Sequence, residues 1–191
     1  MTLDQLAIRA VRTAARLRMK FGYGKADALC PFDLADRLGV IVHLVALASL
    51  EGMYSPDPKP TILVSAERPS GRRRYTCSHE LGHHVFGHGT HLEELGGGAV
   101  STWSPQEYLA NRFAAALLMP KLAVESAFSC RGWSITDPTV EEIFAVAQAL
   151  GVGFTTLVGY LESTLKHMSS TRAAVLRKTS LPRLRSQLGK L

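Results

Sequence analysis

The spacing of apolar positions changes along this chain, and each change marks an element. Over residues 3–19, Leu3, Leu6, Ala7, Ala10, Val11, Ala14 and Leu17 follow helical spacing with arginines largely opposite, which predicts an amphipathic helix. Gly22-Tyr23-Gly24 ends it, and a short second helix opens on Pro31 and closes before Gly39. The composition then turns β-branched and apolar. Residues 40–47, 52–55 and 61–65 read as three strands, with Pro56-Asp57-Pro58-Lys59-Pro60 as a turn between the last two. A helix follows over about 70–86 and stops at Gly87-His88-Gly89. Residues 95–101, with glycines at 96–98, read as a flexible loop. Ser104 then caps an alanine-rich helix that ends before Pro120. Further helices are expected over 121–129, 139–150 and 154–165, the last two joined by Gly151-Val152-Gly153.

That last pair loosely resembles a helix-turn-helix. A DNA reader wants basic residues on its second helix, whereas 154–165 carries none and includes Glu162, so packing against the rest of the chain is expected. Residues 169–191 are rich in Ser, Thr, Arg and Lys, with Leu176, Leu181, Leu184 and Leu188 at partly helical spacing. Disorder, or folding onto an acidic partner, is expected there.

Length and composition narrow the picture. With 191 residues and 46% of them hydrophobic, the chain can fill one ordinary core, or one core with a small appendage. No apolar run is long enough for a membrane span, and none has the position and flanks of a signal peptide. Cys30, Cys77 and Cys130 are odd in number and widely spaced, which argues against a disulfide framework and for a reducing cytoplasm. The net charge of +6 comes from the ends: 1–25 sets six basic residues against Asp4 alone, and 166–191 has seven basic residues and no acid. Basic ends attract nucleic acid or an acidic partner, but solvated helix faces account for them equally well.

Candidate chemistry sits in the helix over 70–86. His79-Glu80-Leu81-Gly82-His83 places two imidazoles one turn apart on one face, with a carboxylate beside them. That pattern suits two nitrogen ligands of a zinc ion, with Glu80 next to the ion's open position as general base. Leu81 and Val85 give the helix an apolar side, and Gly82 admits a neighbouring backbone. His88 and His91 raise the question of a nearby third ligand. The metzincin spacing fails, because Phe86 and Gly89 stand where it needs Gly and His. His88 is accounted for by the helix C-terminal dipole, His84 as a surface or supporting residue, and His43 as a structural strand histidine.

Glu107 is a candidate third ligand one helix later. Ser104-x-x-Glu107 is also a capping box, which would turn the same carboxylate onto the Ser104 backbone. Spacing leaves both roles standing, with Glu93 and Glu94 as weaker substitutes. Tyr75 and Tyr108 lie near the motifs and are candidates for an oxyanion donor, although a core role is expected for each.

Together, Arg74-Tyr75-Thr76-x-x-His79-Glu80-Leu81-Gly82-His83 and Glu107-x-x-Ala110-Asn111-x-Phe113-Ala114-x-x-Leu117-Leu118-Met119-Pro120 closely resemble the ImmA/IrrE family of zinc metallopeptidases. The resemblance implies an α+β, zincin-like fold: a small mixed sheet packed on the His-Glu-x-x-His helix, followed by a helical C-terminal part. It implies one zinc per chain held by His79, His83 and Glu107, Glu80 as general base, and Asn111 orienting a ligand from behind. The implied layout is a basic helix over 1–25, the metallopeptidase domain over 26–165 and a basic tail over 166–191. Family members are bacterial or phage regulators that cleave or otherwise inactivate a helix-turn-helix repressor, releasing stress, phage or mobile-element genes. Such a repressor is expected here as a separate chain, since residues 1–30 are too few to hold one. The strand over 52–55 is expected to accept substrate as an added strand. Two rival functions remain: a metal-containing protein that sequesters a repressor without proteolysis, and a DNA-binding regulator using the basic ends.

Overall fold

The computed structural model describes residues 1–46, 50–94 and 104–188. Helix α1 (Leu3–Lys20) starts at a capping box in which the Thr2 side chain accepts from Gln5 N while the Gln5 side chain accepts from Thr2 N. Helix α2 (Pro31–Arg37) follows, then strands β1 (Ile41–Val45), β2 (Leu50–Ser55) and β3 (Thr61–Ser65). Helix α3 (Ser70–Phe86) carries the His-Glu-x-x-His motif, and strand β4 (His91–Glu94) comes directly after it. The remaining elements are α4 (Pro105–Leu118), α5 (Lys121–Ser129), α6 (Val140–Leu150), α7 (Phe154–Ser163), α8 (Ser170–Arg177) and α9 (Leu181–Leu188).

The four strands form one mixed sheet in the order β1-β3-β2-β4. β1 runs parallel to β3, with Ile41 opposite Thr61, whereas β2 is antiparallel to both β3 and β4. β2 is therefore an interior strand whose backbone is engaged on both sides, and the expectation that it takes up substrate as an added strand is corrected. Among the described residues, the sheet edges are β1 and β4. The error came from not foreseeing β4: Leu92 is exposed and its neighbours are polar, so only pairing with β2 makes this segment a strand.

One face of the sheet receives α3, α4 packs on α3, and α1 packs on α4. Sandwiched in this way, α3 buries an unbroken run from Thr76 to His83, polar residues included. Gly82 makes the α3–α4 approach possible, because a Cβ there would lie 3.0 Å from the Ala110 Cα. Leu6, Ala10 and Ala14 of α1 share one core with Leu81 of α3 and Phe113 and Leu117 of α4. Arg18, expected on the outer face of α1, is buried instead and donates to the carbonyls of Leu117, Gly24 and Asp27.

The C-terminal segment also departs from expectation. Residues 170–188 form α8 and α9, and they bury Ala173, Leu176 and Leu184 in the same core. Two of its arginines pair within the chain, Arg177 with Glu162 and Arg172 with Asp137. Helices α6 and α7 meet at 104° across their turn, and Phe154, Leu157, Val158 and Leu161 of α7 enter the core, as the packing reading expects. No single helix among the described residues is long and apolar enough to cross a membrane. The glycine loop expected over 95–101 lies outside the described residues.

Candidate metal centre

The two motif histidines meet as their spacing requires. His79 Nε2 and His83 Nε2 are 3.1 Å apart, with almost no exposure of either side chain. Glu107 reaches them from the first turn of α4. Its two carboxylate oxygens lie 3.4 Å from His79 Nε2 and 3.3 Å from His83 Nε2. The capping-box alternative is not realised. Ser104 Oγ accepts from Gln106 N, and the Glu107 side chain turns inward to the histidines. A tetrahedral ion with bonds of about 2.0–2.1 Å spaces its ligand atoms about 3.3–3.4 Å apart. The spacings found here, 3.1 Å between the histidines and 3.3 and 3.4 Å from them to one Glu107 oxygen each, lie close to that requirement, so this donor set fits a metal cation.

The protonation states suit the same role. Burial, reinforced by neighbouring His79 and His91, pushes the His83 imidazole down to about 2, so the ring is neutral, as a ligand must be. Burial acts to raise the Glu107 carboxyl, but hydrogen bonds from His79 and His91 outweigh it and hold the group well below the usual carboxylate range. The N-terminal turn of α4 further favours a negative charge there.

Behind His83 stands His88, with its Nδ1 3.1 Å from His83 Nδ1. If His83 donates the proton of this bond, its Nε2 lone pair is left facing the donor cluster, and the tautomer is set from behind. Gly87, with φ of 68°, turns the chain so that His88 folds back. His88 thus has a specific partner beyond the helix dipole. His84 instead bonds the Tyr54 hydroxyl at 2.9 Å.

Glu80 is fully buried, its Oε2 lying 3.2 Å from His91 Nδ1. It fits because β2 has a gap: a Cβ on Gly52 would sit 3.1 Å from Glu80 Oε1 and 2.4 Å from Thr76 Cγ2. His91 is the residue that sequence reasoning left without a role. Its Nε2 lies 2.7 Å from Glu107 Oε1, and its ring stacks on His83 at 3.7 Å between centroids. A donor atom from each of His79, His83, His91 and Glu107 lies within 4.8 Å of the others. Burial acts to lower the His91 pKa, but bonds to Glu107 and Glu80 raise it to about 10, so the ring is an imidazolium clamped between two carboxylates. With both ring nitrogens turned to carboxylates, His91 bridges the expected base and the expected third ligand.

Asn111, expected behind a ligand, accepts through Oδ1 from the Tyr75 hydroxyl at 3.3 Å. Tyr75 is thereby tied to α4, and the Tyr108 ring carries the Arg112 guanidinium at 5.2 Å. The side chains of Glu93 and Glu94 lie outside the described set.

A His-Glu-x-x-His helix beneath a small mixed sheet, with a carboxylate from the following helix, is the arrangement of a zincin-like peptidase domain. Comparison with known families agrees. A model described as the IrrE N-terminal-like domain, Peptidase_M78, matches residues 35–159, and the chain belongs to this family of metal-dependent peptidases. No curated protein matches the chain. The matched span contains both motif helices and all four strands, whereas α1, α8 and α9 lie outside it.

Proposed function

We propose that this protein is a zinc-dependent endopeptidase whose metal is held by His79, His83 and Glu107. The observation that carries the reading is the near-tetrahedral spacing of three donors from two helices beside a buried carboxylate. Bound there, zinc supplies Lewis acidity, polarising a peptide carbonyl and making water acidic at neutral pH. Glu80 takes a proton from the attacking water onto its carboxylate and delivers it to the leaving nitrogen. His91, bonded to both Glu80 and Glu107, aligns the base with the ligand. His88 fixes the His83 ring. β4, an outer strand of the sheet that itself carries His91, is the edge on which an extended substrate would add.

The substrate we favour is a helix-turn-helix repressor encoded as a separate chain, cleaved in the cytoplasm to release stress, phage or mobile-element genes. Support for this part is the family resemblance. The test combines metal analysis with cleavage. Wild type and Glu80→Gln should each hold about one zinc per chain, Glu107→Ala much less, and only wild type should cleave a repressor encoded alongside it. Zinc-free wild type after metal is supplied would overturn the reading. Repressor held equally by wild type and Glu80→Gln, with no cleavage by either, would instead establish sequestration without proteolysis.

A further inference from the structure

Helix α1 is apolar over more of its circumference than its place in the fold uses. Leu6, Ala10 and Ala14 form its buried face. At 3.6 residues per turn, Ile8, Val11, Ala15 and Met19 make a second apolar stripe beside that face. All four are exposed, and Ile8, Val11 and Met19 each keep at least half of their surface open to solvent. The two stripes together cover roughly 220° of the helix, whereas a surface helix needs an apolar face of only about 100°. Arg12 and Arg16 edge the exposed stripe on the side away from the core.

Toward the end of α1 the stripe borders a cavity of about 340 Å³. Val11, Ala15 and Met19 line it from α1, and Ala116 of α4, Leu122 of α5 and Tyr160 of α7 complete its apolar lining. Leu122 is itself half-exposed. Three cations also line the cavity: Arg18, spent on backbone carbonyls, and the exposed Lys25 and Lys121. The nearby carboxylates are engaged, Glu125 beside Lys121 at 3.7 Å and Asp27 on the Gly24 N–H at 2.7 Å. An apolar groove with basic rims fits an amphipathic helix with acidic rims. A second copy of this chain does not fit, because it would set the same arginines and lysines against one another, and the only acid of α1 is Asp4. A flat membrane surface would meet the crest of α1 and leave the recess beside it unfilled.

We propose that this groove docks an amphipathic helix of another protein, one that carries acidic side chains along both edges of its apolar face and inserts an apolar side chain into the cavity. From Ile8 to Met19 the stripe is about 16 Å long, so the docked helix is engaged over about three turns. The inference is independent of the peptidase reading, since α1 lies outside the matched span 35–159 and supplies none of the four metal donors.

The test is binding of a designed helix to the full chain. The protein is titrated into the labelled, capped peptide Glu-Leu-Ala-Ala-Leu-Glu-Ala-Glu-Leu-Ala-Ala-Leu-Glu, and into its counterpart with every Glu replaced by Lys, with fluorescence anisotropy as the readout. The Glu peptide should bind about tenfold tighter, and the gap should narrow as salt rises. Val11→Asn and Leu122→Asn change exposed positions on two separate elements, so each should leave the melting temperature nearly unchanged. Each should weaken the Glu peptide by about fivefold. Lys25→Glu combined with Lys121→Glu should shrink the preference for the Glu peptide. Two further arms cover the other occupants: sedimentation velocity of the protein alone reads self-association, and flotation with vesicles of phosphatidylcholine and phosphatidylserine reads membrane binding. No measurable binding of the Glu peptide, equal affinity for the two peptides, or binding that survives both Val11→Asn and Leu122→Asn would overturn the proposal. So would self-association or vesicle binding that Val11→Asn abolishes, since that occupant would then hold the groove.

Discussion

The gap in β2 beneath Glu80 can be tested with a single methyl group. In Gly52→Ala the new Cβ would lie 2.4 Å from Thr76 Cγ2 and 3.1 Å from Glu80 Oε1, and neither neighbour is free to swing into solvent because both are buried. Overpacking of this kind costs about 1–3 kcal/mol. For a chain of this length each kcal/mol shifts the midpoint by about 2–4 °C, so a fall of about 2–12 °C is expected. The closer contact is with the Thr76 methyl, and Thr76→Ser removes that methyl while keeping the hydroxyl. In the Thr76→Ser background the added cost of Gly52→Ala should drop below about 1 kcal/mol, a coupling of about 1–2 kcal/mol between the sites. Urea unfolding of the four proteins at fixed zinc measures the cycle. The same samples report zinc content, which should hold, and cleavage, which should fall in Gly52→Ala because Glu80 must move. Additive effects with no coupling would refute the claim that Gly52 exists to make room for this pair.

Other consequences follow from the same geometry. In metal-free protein His91 is held at about 10, against 6.5 for the ordinary side chain, by Glu107 and Glu80. A raised folded-state pKa stabilises fully below the unfolded value and is lost as pH climbs through the folded one. The melting temperature of metal-free protein should therefore fall between about pH 6.5 and 10, and His91→Gln should flatten that slope. Arg18→Met should cost about 1–3 kcal/mol, because it leaves the buried Leu117 carbonyl without its donor while the exposed Gly24 and Asp27 residues can turn to water, and denaturant titration measures it. Thiol labelling of the native protein should modify exposed Cys130 first and spare Cys77, whose thiol is buried and raised in pKa by that burial; early Cys77 labelling would contradict the packing of α3.

How much of this could be read from the sequence depended on whether a feature is local. His79 and His83 converge because helical spacing makes them converge, and the glycine and proline boundaries of α2, α3 and α4 are local chemistry. Glu107 was ambiguous because a cap and a ligand ask for the same residue at the same place. Only the arrival of α3 beside the first turn of α4 separates the two roles. His91 was invisible for a deeper reason. Its strand exists only through pairing with β2, and its partners Glu80 and Glu107 come from two other elements. Arg18 looked like one more outward arginine, since nothing in α1 shows that the Leu117 carbonyl waits for it. The tail looked unstructured for want of acids, while the carboxylates that pair with Arg177 and Arg172 sat on α7 and beside Pro138.

The burial of α3 between sheet and α4 has an evolutionary corollary. On a surface helix, a lineage that abandons catalysis can lose its histidines and glutamate one at a time at little cost. Here His79, Glu80 and His83 are core residues, each bonded to another member of the cluster, so a lone substitution leaves a buried polar partner stranded. Drift at these positions is slowed by packing as well as by chemistry. Descendants that replace the site should do so by concerted changes spanning α3, β4 and α4, with apolar side chains refilling the space together.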